Sequence, residues 1–493
     1  MSATFLTTDP TPARTVIPIA VSADTSPIAP PAGADPELVS LYAAHQKIYP
    51  RSVSGFFSRL RWATVFLTQL VFYGLPWLDW GQRQAVLFDL GARRFYIFNL
   101  VLYPQDFIYL TGLLVISALS LFLFTAVAGR LWCGYACPQT VYTEIFLWLE
   151  KRTEGDRSAR MRRDAAGFSW EKLGRKSAKH ALWLAVGVWT GFTFVGYFTP
   201  IAVLAREFMA LSVGPWEAFW VFFYGFATYG NAGFMREQVC KHMCPYARFQ
   251  SAMFDKDTLI VTYDAERGEP RGARSKKLDL SQSSLGACVD CSLCVQVCPT
   301  GIDIRKGLQY ECIGCGACAD VCDDVMDKMN YPRGLVKYST ENAVSEHWTR
   351  SQTLHHVFRP RVVVYTLILW TMIALMFISL AVRPPFKVDV ERDRKLLARE
   401  VDGGLIENVF RLQIMNASET PQRVHIQVDG LSGLKVVTEP DLVVDAAQSR
   451  WVVVRLQVPV ESVSPGSHPI HFEIDGQDST AVVVEKAVFI VPR

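Results

Sequence analysis

Twelve cysteines lie between Cys133 and Cys322 of a 493-residue chain, and none lies outside that stretch. Eight form two runs of one spacing, CxxCxxCxxxC: Cys288, Cys291, Cys294 and Cys298, then Cys312, Cys315, Cys318 and Cys322. Three thiolates spaced three residues apart curl a short loop round three corners of an iron–sulfur cubane, and the fourth cannot reach the same cluster, so it ligates the other one. The spacing therefore predicts two 4Fe-4S clusters, one on Cys288, Cys291, Cys294 and Cys322, the second on Cys312, Cys315, Cys318 and Cys298. Gly286, Ala287, Gly314, Gly316 and Ala317 leave room for backbone N–H groups to approach the sulfurs. Structural zinc is the competing use of such residues, but eight cysteines in duplicated register favour cubanes. Pro299 follows the first run; Asp323 stands where the second would carry proline, which weakens the turn signal after Cys322.

The remaining four cysteines form a second repeat. Cys133-Gly134-Tyr135-Ala136-Cys137-Pro138 and Cys240-Lys241-His242-Met243-Cys244-Pro245 are both CxxxCP, and each comes just after a long apolar stretch. If helical, residues i and i+4 share a face, so each pair offers two thiolates and two pairs offer four. Thiolates at that density suit Cu(I), zinc or an iron–sulfur cluster. His242 and Met243 lie inside the second motif as further candidates for copper. The other histidines point elsewhere: His347, His355 and His356 sit beside Arg359 and Arg361 as a solvated face, and His425, His468 and His471 read as ordinary strand and loop residues. There is no CxxCH for covalent haem, no GxGxxG after a strand and no GxxxxGK[ST], so the usual nucleotide-binding loops are absent.

The elements that must position these cysteines follow from hydropathy. Half of the residues are apolar, 20% are charged and the net charge is +3, too small for a nucleic-acid partner. Five apolar stretches approach the length that a hydrocarbon core demands of a helix: Trp62 to Leu78, Phe107 to Gly129, Ala181 to Leu204, Pro215 to Met235 and Val362 to Val382. Eleven Lys and Arg between Arg130 and His180, against three from Asp79 to Asp106, place that connection in the cytoplasm. The N-terminus and all twelve cysteines are then on the reducing inner side, and the chain beyond the fifth span is exported. Arg271, Arg274, Lys276, Lys277, Arg305 and Lys306 form a basic face near the cysteine runs that could raise a cluster's potential or dock a donor.

Residues 1–48 read as a disordered tail rich in Pro, Ala, Ser and Thr, with no cleavable signal peptide. Residues 49–250 read as four transmembrane helices with the two CxxxCP motifs, 251–345 as a dicluster ferredoxin domain, and 346–386 as a fifth transmembrane helix with its flanks. In 387–493, β-rich runs such as Val424 to Val428 and turn signals such as Asp429-Gly430 predict an immunoglobulin-like sandwich held without a disulfide. The fold class is thus a multi-domain membrane protein: a five-helix α region, an α+β bacterial ferredoxin-like domain and an all-β sandwich.

The two ferredoxin runs, the two CxxxCP motifs and the segment Cys322-Asp323-Asp324-Val325-Met326-Asp327-Lys328-Met329 with Pro332-Arg333-Gly334-Leu335 resemble the FixG/CcoG family of cytochrome c oxidase accessory proteins. The resemblance runs from about Tyr49 to the C-terminal sandwich. It implies a polyferredoxin of the bacterial inner membrane that supports maturation of a cbb-type oxidase. It further implies reduction of Cu(II) to Cu(I) before copper reaches assembly factors or copper chaperones, which makes the chain a cupric reductase. On that reading an unspecified donor reduces the clusters and Cys133, Cys137, Cys240 and Cys244 receive copper in passing. Two other classes fit the same residues: a quinol-oxidising electron-transfer subunit, and an assembly scaffold whose clusters are structural.

Overall fold

The computed structural model describes residues 47–275, 284–393, 398–477 and 481–492. Lys276, Lys277 and nearly all of the 1–48 tail lie outside the described residues. Each expected apolar stretch contributes a helix: Phe56–Gly74, Phe107–Ala128, Trp170–Val195, Pro215–Gly230 and Pro360–Ala381. Two helices, Pro104–Ala128 and Pro360–Ala381, are long and apolar enough to cross a membrane. The first helix begins earlier than expected, at Phe56, and so takes in Arg59 and Arg61; it gives way to a 3-10 turn at Leu75–Trp77, where Pro76 cannot extend it. The third stretch is broken. Its helix ends at Val195 and a separate one, Ile201–Met209, follows Pro200. Proline has no N–H to donate and disfavours the helical conformation at the residue before it, which ends the run that hydropathy alone carried to Leu204.

Small residues set the closest helix contact. A Cβ on Gly191 of Trp170–Val195 would lie 2.1 Å from the Val221 carbonyl oxygen of Pro215–Gly230, so the two backbones touch where side chains are missing. The polar connection Arg130–His180 is pinned by buried charge. Glu150 accepts from Arg160 at 2.5 Å and from Arg236 at 2.7 Å, and Lys179 pairs with Glu154 at 3.2 Å. Burial alone would push the Glu150 carboxyl up, but the two guanidiniums outweigh it and hold it below its usual value.

The ferredoxin region is built on an antiparallel pair, Ile260–Tyr263 with Val336–Ser339, and the helix Ala317–Met329. Val261, Ile304, Ala319, Met326, Leu335 and Val336 form its buried core. The helix runs straight through Asp323, so Cys322 sits within it and no turn follows. It stops seven residues later at Asn330, which takes the left-handed conformation at φ 60°.

The C-terminal region is a two-sheet β-sandwich. One sheet runs Lys435–Val436, Ser449–Pro459, Leu405–Asn416, Phe386–Arg392, with Arg399–Val401 also on Leu405–Asn416; the other runs Asp441–Val444, Gln422–Asp429, Gly466–Gly476, Val482–Val491. Val424, Ile426 and Val428 are buried in alternation, and they meet Phe410, Leu412, Ile414, Ile470, Phe472 and Ile474 in one core. At about 1.5–3 kcal/mol per fully buried side chain, this core needs no disulfide. One feature was not foreseen. A three-stranded sheet, Val86–Asp89, Arg94–Ile97 and Leu100–Leu102, packs Leu87, Tyr96, Val101 and Tyr103 against Met415 and Ala447 of the sandwich. The Tyr103 hydroxyl donates to the Asn416 carbonyl at 2.9 Å.

Candidate metal centres

The two ferredoxin runs fold across one another. One cavity is lined by Cys288, Cys291, Cys294 and Cys322, with Tyr263 and Arg305. A second is lined by Cys298, Cys312, Cys315 and Cys318, with Cys294 at its edge and Ile302, Ile304 and Ile313 as walls. The two are of similar size, with empty volumes of about 380 and 350 Å³. The fourth cysteine of each run thus stands with the first three of the other. Gly314 and Gly316 take φ +64° and +72°, which a side chain would strain, and so let the second run wrap its cavity.

The sets differ in exposure. The first set has one exposed member, Cys291, beside the buried Cys288; in the second Cys315 is buried and the other three are partly buried. Burial is the main reason that several thiols are pushed up, Cys294 to about 11 and Cys312 and Cys322 to about 12. A buried thiol of this kind does not ionise alone; it releases its proton to solvent when a metal binds the sulfur. Soft sulfur donors in two groups of four, walled by apolar side chains, fit a pair of iron–sulfur clusters. Among the described residues no three His, Cys, Asp or Glu side chains stand at the spacing of a single bound ion.

The CxxxCP motifs are not continuous helices. Cys133 lies in the five-residue helix Leu131–Tyr135, and Cys137 is extended (φ −61°, ψ 128°) as the cap of Pro138–Glu154. Cys240 lies in a single π turn, Val239–Met243, and Cys244 (φ −81°, ψ 111°) caps Pro245–Met253. The proline of each motif is the cause: it opens the next helix and pushes the cysteine before it out of the helical region. The premise that i and i+4 share a helical face therefore fails, and the four sulfurs are not drawn up at the spacing of a single bound ion, although they lie within electrostatic reach of one another. All six pairs among Cys133, Cys137, Cys240 and Cys244 interact electrostatically. Burial, then the neighbouring sulfurs, push Cys133 up to about 11 and Cys240 to about 12. His242 and Met243 are exposed.

This third group abuts the second cavity. Cys133 and Cys240 pack with Cys315, Cys318, Val297, Ile313, Ala317 and Val321 in one apolar cluster. The Tyr135 hydroxyl lies 3.4 Å from the Cys315 carbonyl, and the Tyr338 hydroxyl donates to the Gly314 carbonyl at 2.5 Å. Sequence reasoning missed Asp320, a buried carboxylate that accepts from Phe57 N at 3.1 Å and Ser58 N at 2.7 Å and so caps the first helix from the ferredoxin helix. Two residues of the basic face are paired: Arg305 with Asp303 at 2.7 Å and with Asp290, and Arg271 with Glu269 at 3.7 Å. The expected bystander histidines keep ordinary partners, as with His425 and Asp441 at 2.8 Å and His468 and the Ser464 carbonyl at 2.7 Å.

Residues 235–341 match the 4Fe-4S dicluster domain family, residues 110–154 a 4Fe-4S binding domain family, and residues 376–492 the family described as the IG-like fold at the C-terminal of FixG. The nitrogen fixation protein FixG of Rhizobium meliloti is 38% identical over 422 residues, 79% of this chain and 80% of that protein. The chain belongs to the FixG family. Protein RdxA of Cereibacter sphaeroides is also 38% identical, over 80% of this chain and 85% of its own. A solved FixG-related protein from Vibrio parahaemolyticus aligns with 22% of this chain and 97% of its own length at 18% identity, with a TM-score of 0.20. As a FixG-family member with duplicated cysteine runs, the protein is an iron–sulfur electron-transfer protein.

Proposed function

We propose that this FixG-family chain reduces Cu(II) to Cu(I) at Cys133, Cys137, Cys240 and Cys244, in support of cbb-type oxidase maturation. The observation that carries the reading is the packing of Cys133 and Cys240 in one apolar cluster with Cys315 and Cys318. Cys288, Cys291, Cys294 and Cys322 hold one cluster, and Cys298, Cys312, Cys315 and Cys318 the other. When bound, a 4Fe-4S cluster supplies one electron at a time, the reducing equivalent that each Cu(II) needs. The exposed Cys291 edge faces a soluble reductant, the buried second set excludes water, and the CxxxCP thiols take the copper. Thiolate prefers the softer Cu(I), so the site that binds the product also favours its formation. The five apolar helices hold the chain in the bacterial inner membrane, with the N-terminus and all twelve cysteines cytoplasmic and the sandwich periplasmic. Copper chaperones or oxidase assembly factors receive the ion.

The test is a chain carrying Cys240→Ser and Cys244→Ser, purified without air. Copper reduction should vanish while the low-temperature EPR signals of the two reduced clusters stay. Undiminished copper reduction would sink the proposal.

A further inference from the structure

Arg130 immediately precedes the first CxxxCP helix and is buried, with 6% of its surface exposed. Its Nη1 donates to the Cys312 carbonyl at 3.1 Å; its Nη2 donates to the Ala247 carbonyl at 2.5 Å and to Ser251 Oγ at 2.8 Å. Ala247 and Ser251 lie on the helix headed by the second CxxxCP motif. One guanidinium therefore joins both CxxxCP segments to the loop of the second ferredoxin run. Among the described residues no carboxylate pairs with it, though the charge of Glu311 acts on it.

Two other arginines near the cysteine sets are paired with carboxylates. Arg305, beside the first set, pairs with Asp303 and Asp290, and Arg61, within reach of Cys315, pairs with Glu144 at 3.2 Å. Adding an electron to a cluster adds negative charge, and an unneutralised buried cation favours that state far more than a solvated one does.

The geometry points to Arg130 as the positioning residue that raises the reduction potential of the cluster on Cys298, Cys312, Cys315 and Cys318 above that of its neighbour. With clusters bound, such a difference would favour an electron on the set beside the CxxxCP thiols over the set that includes the exposed Cys291. This rests on the ligand sets proposed above and is independent of copper.

The experiment is a redox titration followed by EPR on the full-length protein in detergent, for wild type, Arg130→Gln and Arg130→Lys. Arg130→Gln should shift one cluster to a more negative potential and leave the other in place, and Arg130→Lys should restore the wild-type value. Two unmoved potentials in Arg130→Gln, or an equal shift of both, would overturn the role. Should Arg130→Gln fail to load both clusters, Arg130→Lys decides: the wild-type separation supports the role, and a collapsed one refutes it. Iron content and the count of EPR signals in the wild type test the ligand sets separately.

Discussion

Gly134 and Gly314 meet backbone to backbone: a Cβ added at Gly134 would lie 2.6 Å from the Gly314 carbonyl oxygen and 2.9 Å from that of Ile313. This contact brings the first CxxxCP motif against the second ferredoxin run. Gly134→Ala should cost about 1–3 kcal/mol through overpacking and widen the gap between the sites. Iron content should stay near wild type while copper reduction, read with a Cu(I) chelator, falls severalfold. Equal loss of iron and activity would show that the contact serves folding alone.

Asp320 is the acceptor for two N–H groups, those of Phe57 and Ser58, that lie 263 and 262 residues away in the chain. Removing an N-cap acceptor costs about 0.5–2 kcal/mol, so Asp320→Ala should lower the melting temperature. Asp320→Asn, which keeps one oxygen, should recover part of the loss. Differential scanning fluorimetry of both variants decides it.

The first set has an exposed member, Cys291, and the second has none, so a cluster on the first should be the more sensitive to oxygen. Brief air exposure should take the iron content from about eight towards about four per chain. The surviving EPR signal should be the one that Arg130→Gln shifts. Simultaneous loss of both signals would contradict the difference in shielding.

Glu407 in the sandwich is buried. Burial pushes its carboxyl up, but hydrogen bonds from Gln457 and Arg399 and the charges of Arg399 and Arg455 outweigh that and hold it below its ordinary value. A carboxyl depressed in the folded state contributes stability that is present above its unfolded pKa of about 4.3 and is lost as pH falls through the folded value. Glu407→Gln should therefore be less stable than wild type at neutral pH, with the difference shrinking below about pH 4. Urea unfolding of the sandwich at several pH values, followed by Trp451 fluorescence, measures it.

The cysteine runs were legible because ligand spacing is a local signal: three thiolates within seven residues must curl round something. The helices were legible from apolar length, and the sandwich from alternation at Val424, Ile426 and Val428. Breaks were harder to place. Pro200 splits an apolar run, and Pro138 and Pro245 split motifs whose i, i+4 spacing suggests one helix; in each case hydrophobicity says nothing about where proline ends a hydrogen-bonded ladder. Arg130 and Asp320 left no local trace. Each is a single charged residue whose partners lie far along the chain, and only the fold shows that among the described residues no carboxylate forms an ion pair with Arg130.

Where the helices Phe107–Ala128 and Pro360–Ala381 approach the sandwich, Asp106 is gripped by Arg383 at 2.5 Å and by Lys387. At their other ends Arg359 donates to the Ala126 carbonyl at 2.6 Å, four residues before Arg130. The paired helices are thus clamped at top and bottom like the legs of a trestle. The helix that leads into the first CxxxCP motif is in this way tied directly to the sandwich strand Phe386–Arg392 through Asp106 and Lys387.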